Sequence, residues 1–377
     1  MMEIALVVPA DVDMVLSGGN LYDLRLAEAL GRAGDDVVLC RVEGSWPAVD
    51  GAAERRLATA LKQLRTKDPG RPPAPEVCSP GRRVVIVDGL IGAACPGAIT
   101  AAVAAGMDVR LLIHLPLALE PGLDEATAKH RDAREQASVH AASSVIATSN
   151  WAAAELRRRH GLNYVAVAPP GVDPAPLAHG STPPRLLQVG ALIPGKNQLA
   201  LVSALSGLAD EPWTARLVGS RTRDTHYAEQ VQQAVRDAGL EERIRLTGEL
   251  TGAALEDQWQ VADLSVLPSS VETYGMVVTE SLARGIPAVV SAGTGAEETL
   301  GFDGQGQRPG FVVAPGEPIA LRKALAHWLR DPPTRSAARG AARTRREGLA
   351  GWDQTARDVA MALNTSPQAP TAAPDPV

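Results

Sequence analysis

A chain of 377 residues is too long for one ordinary core and fits two domains of about 180 residues each. Aromatic residues are only 3% of the chain, so the cores must be packed from aliphatic side chains, and a net charge of -6 argues against nucleic acid, which needs a concentrated basic surface. No run approaches the roughly eighteen uninterrupted apolar residues of a membrane span. Residues 1–10 lack a basic start, and their apolar run from Ile4 to Val8 is too short for a signal-peptide core, so a soluble cytoplasmic protein is expected. Cys40, Cys78 and Cys95 have no metal-ligand spacing and read as reduced thiols. The abundance of Ala and Arg over Lys hints at a GC-rich bacterial source.

In chain order, Ile4 to Pro9 reads as a buried strand, followed by a loop through Ser17-Gly18-Gly19-Asn20 and a helix from about Leu21 to Arg32. Asp36 to Val42 returns as a strand. The loop is not G-x-G-x-x-G, so a dinucleotide fingerprint is not supported, and the glycines also suit a plain tight turn. Residues 53–66 form a basic amphipathic helix, a solvated face that also suits weak contact with an anionic membrane. Residues 67–81 are a Pro-rich loop. Strands at Arg83 to Val87 and Val109 to Leu115 flank a helix from Pro96 to Ala105, continuing a doubly wound alternation. His114 lies at the carboxyl end of the second of these strands, where open parallel sheets bind ligands; a satisfied structural histidine is the alternative. Helices at Thr127 to Ala142 and Trp151 to His160 alternate with strands at Ser144 to Thr148 and Tyr164 to Ala168.

After a Pro-rich linker at 174–184, strands are expected at Arg185 to Val189, Ala215 to Gly219 and Ile244 to Leu246. The helices of this half are Asn197 to Leu208, Tyr227 to Ala238 and Leu255 to Ala262. Leu264 to Pro268 is a short buried strand, Met276 to Arg284 a helix closed by Gly285, and Pro287 to Val290 another strand, which together make one parallel strand-helix-strand unit. Gly310 to Val313 (strand), Pro318 to Leu329, Pro333 to Arg346 and Trp352 to Leu363 (helices) complete the chain, with a biased tail over 365–377. The expected division is 1–178, 179–350, a helix over 351–364 that returns to the first domain, and the tail.

The strand-helix-strand unit around residues 264–290 carries the chemistry. Glu272 lies in the loop beyond the strand and Glu280 in the second turn of the helix. Between them the amides of Gly275, Met276 and Val277 open the helix, a ready phosphate site. Carboxylates accept hydroxyl pairs, so the arrangement suits a ligand alternating hydroxyls with phosphates, such as a nucleotide sugar. The bland alternative is a buried helix with two solvated glutamates.

The stretch from Pro268 to Pro287, with Glu272, Tyr274, Gly275, Glu280 and Gly285, resembles the E-x7-E segment of the family-4 retaining glycosyltransferases. The resemblance implies a GT-B fold: two Rossmann-like doubly wound α/β domains facing a central cleft. It implies that Glu280 accepts ribose hydroxyls, that Glu272 accepts hydroxyls of the donor sugar, and that Gly18 and Gly19 approach the donor phosphates. By the same comparison His114 lies near the reacting bond, Lys196 meets the diphosphate, and Gly219, Leu250 and Tyr274 belong to the donor pocket. Family members often add an arginine to the loop of Lys196, but here that position is Ala191; Arg221 or Arg223 is the candidate replacement. The expected activity is a retaining, metal-independent transfer from a UDP- or GDP-sugar to a hydroxyl or other nucleophile of a glycan, glycolipid or specialised metabolite. No cofactor, metal or nucleic acid is expected. A non-catalytic nucleotide-sugar-binding protein, or a sugar phosphorylase or epimerase on the same frame, is the alternative.

Overall fold

The computed structural model describes residues 1–65 and 83–365. The Pro-rich stretch 67–81, Cys78 and the expected tail after Thr365 lie outside the described residues. The chain separates into two compact units, Met1–Gly171 with Ala350–Val377, and Val172–Leu349.

The first unit alternates strands β1 (Glu3–Pro9), β2 (Asp36–Val42), β3 (Arg83–Asp88), β4 (Asp108–Ile113), β5 (Ser144–Ala147) and β6 (Ala166–Val167) with helices. These are α1 (Gly18–Arg32), α2 (Gly51–Arg65), α3 (Gly89–Gly92), α4 (Pro96–Ala104), α5 (Glu125–Ala141) and α6 (Asn150–His160). All strands pair in parallel in the order β2-β1-β3-β4-β5-β6. Strands covered by helices on both faces bury nearly every residue, which is why β1 and β3 read as apolar runs while the edge strand β2 is only partly buried. Helix α1 starts at Gly18, not near Leu21, because the Ser17 hydroxyl accepts the Asn20 amide at 3.1 Å and caps the helix there. The single turn α3 was not expected, and β6 is shorter than expected, leaving Tyr164 exposed before it.

The second unit contains β7 (Arg185–Val189), β8 (Thr214–Val218), β9 (Ile244–Gly248), β10 (Leu264–Leu267), β11 (Ala288–Ser291) and β12 (Gly310–Val313). Its helices are α7 (Gln198–Ser206), α8 (Thr225–Asp237), α9 (Gly252–Gln260), α10 (Met276–Ala283), α11 (Gly295–Leu300), α12 (Pro318–Arg330) and α13 (Pro332–Arg346). The strands are again all parallel, in the order β12-β11-β10-β7-β8-β9. Two differences from the sequence reading matter for the site. Strand β9 runs on to Gly248, so Thr247 and Gly248 belong to a strand and not a loop, and the unexpected helix α11 follows β11.

Helix α14 (Trp352–Asn364) packs in the first unit, where Trp352 sets its ring edge-on to Tyr22 at 5.8 Å and Thr355 donates to the Pro169 carbonyl at 2.8 Å. A Cβ on Gly171 would stand 2.2 Å from the Trp352 nitrogen, so only glycine lets the two segments cross. The division falls at Gly171 and not after 178 because Ala175 and Ala178 already bond to the second unit, through Arg346 at 2.5 Å and Arg284 at 2.9 Å. No described helix is long and apolar enough to cross a membrane.

Candidate functional site

In the second sheet the chain runs β7, β8, β9 toward one edge, then returns to place β10 on the other side of β7. At such a reversal the loops leaving the two central strands diverge and open a crevice at their carboxyl ends. The loop after β7 carries Lys196 and the loop after β10 carries Glu272. Their side chains meet: Lys196 Nζ lies 2.6 Å from Glu272 Oε2, with both groups mostly shielded from solvent. Two further bonds join the same loops, from the Ser270 amide to the Gly195 carbonyl at 3.0 Å and from Asn197 Nδ2 to the Pro268 carbonyl at 3.2 Å. Asn197 holds a left-handed backbone, φ 59°, which lets the chain turn directly from the short turn Pro194–Lys196 into α7. Buried Gln188, on β7, donates to the Lys196 carbonyl at 2.8 Å and fixes the lysine from below.

Beyond Glu272 the loop is seated on α11. The Gly295 amide donates to the Glu272 carbonyl at 2.7 Å and the Thr299 hydroxyl to the Tyr274 carbonyl at 2.6 Å. Gly275, with φ 85°, is the N-cap of α10, so the first amides of Met276 and Val277 have no intrahelical acceptor. Burial pushes the Tyr274 hydroxyl up to about 12, and the phenol stays neutral. Glu280 lies one turn along α10, and its carboxylate has no hydrogen-bond partner among the described residues. Gly219 and Leu250 lie just past the ends of β8 and β9 on the same edge of the sheet. A Cβ at Gly219 would come 2.0 Å from the Gly190 carbonyl oxygen, so glycine there permits a close approach of two loop backbones. The structure thus gathers Lys196, Glu272, Glu280 and the start of α10 around β7 and β10. Arg221 and Arg223 are exposed on the loop after β8 and bond to neither Lys196 nor Glu272.

Burial also raises the Glu280 carboxyl to about 7, with Arg284 opposing the shift and Asp173 adding to it. A raised carboxyl pKa means that the folded chain binds a proton the unfolded chain releases. The associated stability is complete below the ordinary carboxylate range and is lost as pH rises through about 7. The melting temperature should therefore fall between about pH 5 and about pH 8, and Glu280→Gln should flatten part of that fall. A Gln variant that keeps the whole slope would assign the titration elsewhere.

The remaining expected residues lie in the first unit. There the strand order reverses between β1 and β3, and α1 begins just beyond β1. Gly18 and Gly19 are the first two residues of α1 rather than a loop ahead of it. Gly19 faces His114, one residue past β4: a Cβ on it would lie 3.1 Å from the ring's Cδ2. Two residues that the sequence reading passed over complete this group. His114 Nε2 is 2.9 Å from Asp23 Oδ1 and 3.5 Å from Asp88 Oδ2, and both carboxylates are fully buried. The ligand-type atoms of all three lie within 4.8 Å of one another. Asp88 ends the strand RVVIVD after four apolar residues, and a carboxylate closing a buried strand beside a sheet reversal was the available signal.

Residues 172–345 match the family described as glycosyl transferases group 1. The match lies within the second unit and covers a little under half of the chain. The matched residues include Lys196, Glu272, Glu280 and the start of α10. Among curated proteins, the chain is 31% identical over 249 residues to D-inositol 3-phosphate glycosyltransferase of Kineococcus radiotolerans, covering 59% of this chain and 57% of that protein. It spans only 57% to 60% of the length of the first such relatives it matches. In three dimensions it is similar to sucrose-phosphate synthase from Thermosynechococcus elongatus, with a TM-score of 0.76 at 20% identity, over 96% of this chain and 98% of that one. HepE of Anabaena, solved in complex with UDP and glucose, gives 0.73 at 17% identity over 96% and 99%. The fold is GT-B, with two Rossmann-like domains.

Proposed function

We propose that the chain is a retaining, metal-independent glycosyltransferase of the cytoplasm that moves a sugar from a nucleoside diphosphate sugar to an acceptor hydroxyl. The observation that carries this reading is the Lys196–Glu272 ion pair beside the free amides of α10, at the strand reversal of a group 1 segment. Breaking a sugar–phosphate bond leaves growing negative charge on the diphosphate, and preorganised cations and amides stabilise it without reorganisation. Lys196 and the Met276 and Val277 amides are groups of that kind. In the free protein Lys196 neutralises Glu272; an arriving diphosphate competes for the lysine and releases Glu272 to accept hydroxyls of the sugar. Glu280 accepts the ribose hydroxyl pair. A UDP-sugar is the first donor to try, because the solved neighbour HepE binds UDP and UDP-glucose. Phosphorylated polyols head the acceptor panel, because a curated relative is named for D-inositol 3-phosphate.

The test is a thermal-shift panel of UDP, GDP and ADP with their common sugar conjugates, each with and without EDTA, followed by product analysis at the anomeric carbon. One nucleotide series should stabilise the protein, by about 2.7 kcal/mol at a hundred times its dissociation constant, in EDTA as well as without it. Glu280→Ala should abolish that shift. A folded sample that no nucleotide stabilises sinks the reading, and donor binding without hydrolysis or transfer to any acceptor reduces it to a binding protein.

A further inference from the structure

We propose that Asp23 and Asp88 hold one proton between them and act as positioning residues for His114, keeping its Nε2 protonated toward Asp23 and its Nδ1 as an acceptor for a substrate hydroxyl. The proposal rests on the transferase reading only for what meets Nδ1.

Three elements converge to build the group: Asp23 from α1, Asp88 from the end of β3, and His114 from the loop after β4. Asp88 Oδ1 is committed, since it accepts the Leu90 amide at 2.6 Å and caps α3. Its Oδ2 is buried without a hydrogen-bond partner, and so is Oδ2 of Asp23. No lysine or arginine bonds to either carboxylate among the described residues. Two buried negative charges side by side with no cation are strongly unfavourable, and one proton between them removes a charge and turns an orphaned oxygen into a donor. Burial first, then the charge of Asp23, drives Asp88 well above the carboxylate range. Burial likewise raises Asp23, to about 7. Asp23 lies nearer the imidazole, at 2.9 Å from Nε2 against 3.5 Å for Asp88, so the shared proton is assigned to Asp88 and Asp23 faces the ring as the anion.

Burial lowers His114, so the ring is neutral at neutral pH and must choose one tautomer. A carboxylate at 2.9 Å from Nε2 selects the Nε2–H form. Tyr22 packs edge-on against the ring at 5.0 Å, and Gly19 leaves the ring its place on another side, where a Cβ would lie 3.1 Å from Cδ2. Tyr22 is itself fixed, donating its hydroxyl to the Ala168 carbonyl at 2.9 Å and packing on Trp352. Asp23 and Asp88 are thus the carboxyl groups facing the imidazole, with uncharged rings behind.

The test uses the full chain labelled with 15N-histidine, with the His114 ring assigned by its loss in His114→Gln. Long-range 15N correlations at neutral pH should give the Nε2–H tautomer in the wild type and in Asp88→Asn, whose amide donates as a protonated carboxyl does and keeps the α3 cap. Asp23→Asn should mix the tautomers. Turnover should fall about tenfold in Asp23→Asn and in Asp88→Val, and Asp88→Asn should recover most of the second loss. Expected tautomers in a chain that binds no donor leave the proton pair standing and sink the transferase reading alone. An Nδ1–H ring in the wild type, or an Asp88→Asn spectrum like that of Asp23→Asn, overturns the pair. A melt raised by Mg2+, Mn2+ or Zn2+ and abolished by Asp88→Asn overturns it in favour of a bound cation.

Discussion

Lys196→Ala should lower sugar transfer by about a hundredfold, the usual cost of removing one preorganised group that meets developing charge. Glu272→Gln should lower it by about tenfold or more, since a hydrogen bond to a charged group contributes about 1.5–3 kcal/mol. Neither change should move the melt far. The two side chains are 27% and 15% exposed, and a solvent-screened pair of this kind contributes about 1 kcal/mol or less to folding. Because each group is the other's partner at 2.6 Å, the losses should not add. The double variant should be about as slow as Lys196→Ala alone, for once the lysine is gone Glu272 has lost both its partner and its timing. Steady-state kinetics on the four proteins, with melts beside them, make the measurement. Fully additive losses would mean two independent contacts, and a shared large fall in stability would mean that the pair is structural.

That pairing also marks where sequence reading stops. The strands were legible because parallel strands sandwiched between helices are continuous apolar runs, and Arg185–Val189 and Gly310–Val313 fall on the expected bounds. Helix ends were less so. Gly18 and Gly19 read as loop because glycine weakens helices, and only the Ser17 cap, set by the three-dimensional course of the chain after β1, draws them into α1. Lys196 and Glu272 could each be named from its loop, yet they are 76 positions apart, and no local pattern says that they touch. Asp23 was invisible for a different reason. In Leu21-Tyr-Asp-Leu-Arg25 a lone acid reads as the solvated side of a helix, whereas here it is wholly buried against a histidine supplied by a strand end far along the chain. Helix α11 was missed because it is a six-residue segment that opens on Gly295 and stops at Gly301, which local propensity does not favour.

Gly295 leads to the second large effect. Gly295→Ala should lower the melt substantially and weaken nucleotide binding by about tenfold or more, although Gly295 is not among the residues expected to hold the donor. A Cβ there would stand 1.8 Å from the Thr273 carbonyl oxygen and 2.3 Å from its carbon, both backbone atoms that cannot rotate away. The loop must retreat, and in retreating it opens the Gly295–Glu272 bond and the Thr299–Tyr274 bond that seat it. Overpacking costs about 1–3 kcal/mol and each lost bond about 1 more. Glu272 moves with the loop, away from Lys196 and from the start of α10. Gly31→Ala is the matched control. It adds the same methyl inside α1, where no atom lies within 4 Å, so it should stabilise the chain by about 0.5–1 kcal/mol and leave binding alone. Opposite signs for the two glycines would locate the cost in the collision with Thr273, since helix propensity favours alanine in both. If Gly295→Ala instead binds nucleotide as the wild type does, the loop accommodates the methyl, and the position of Glu272 is set by its lysine rather than by its seat on α11.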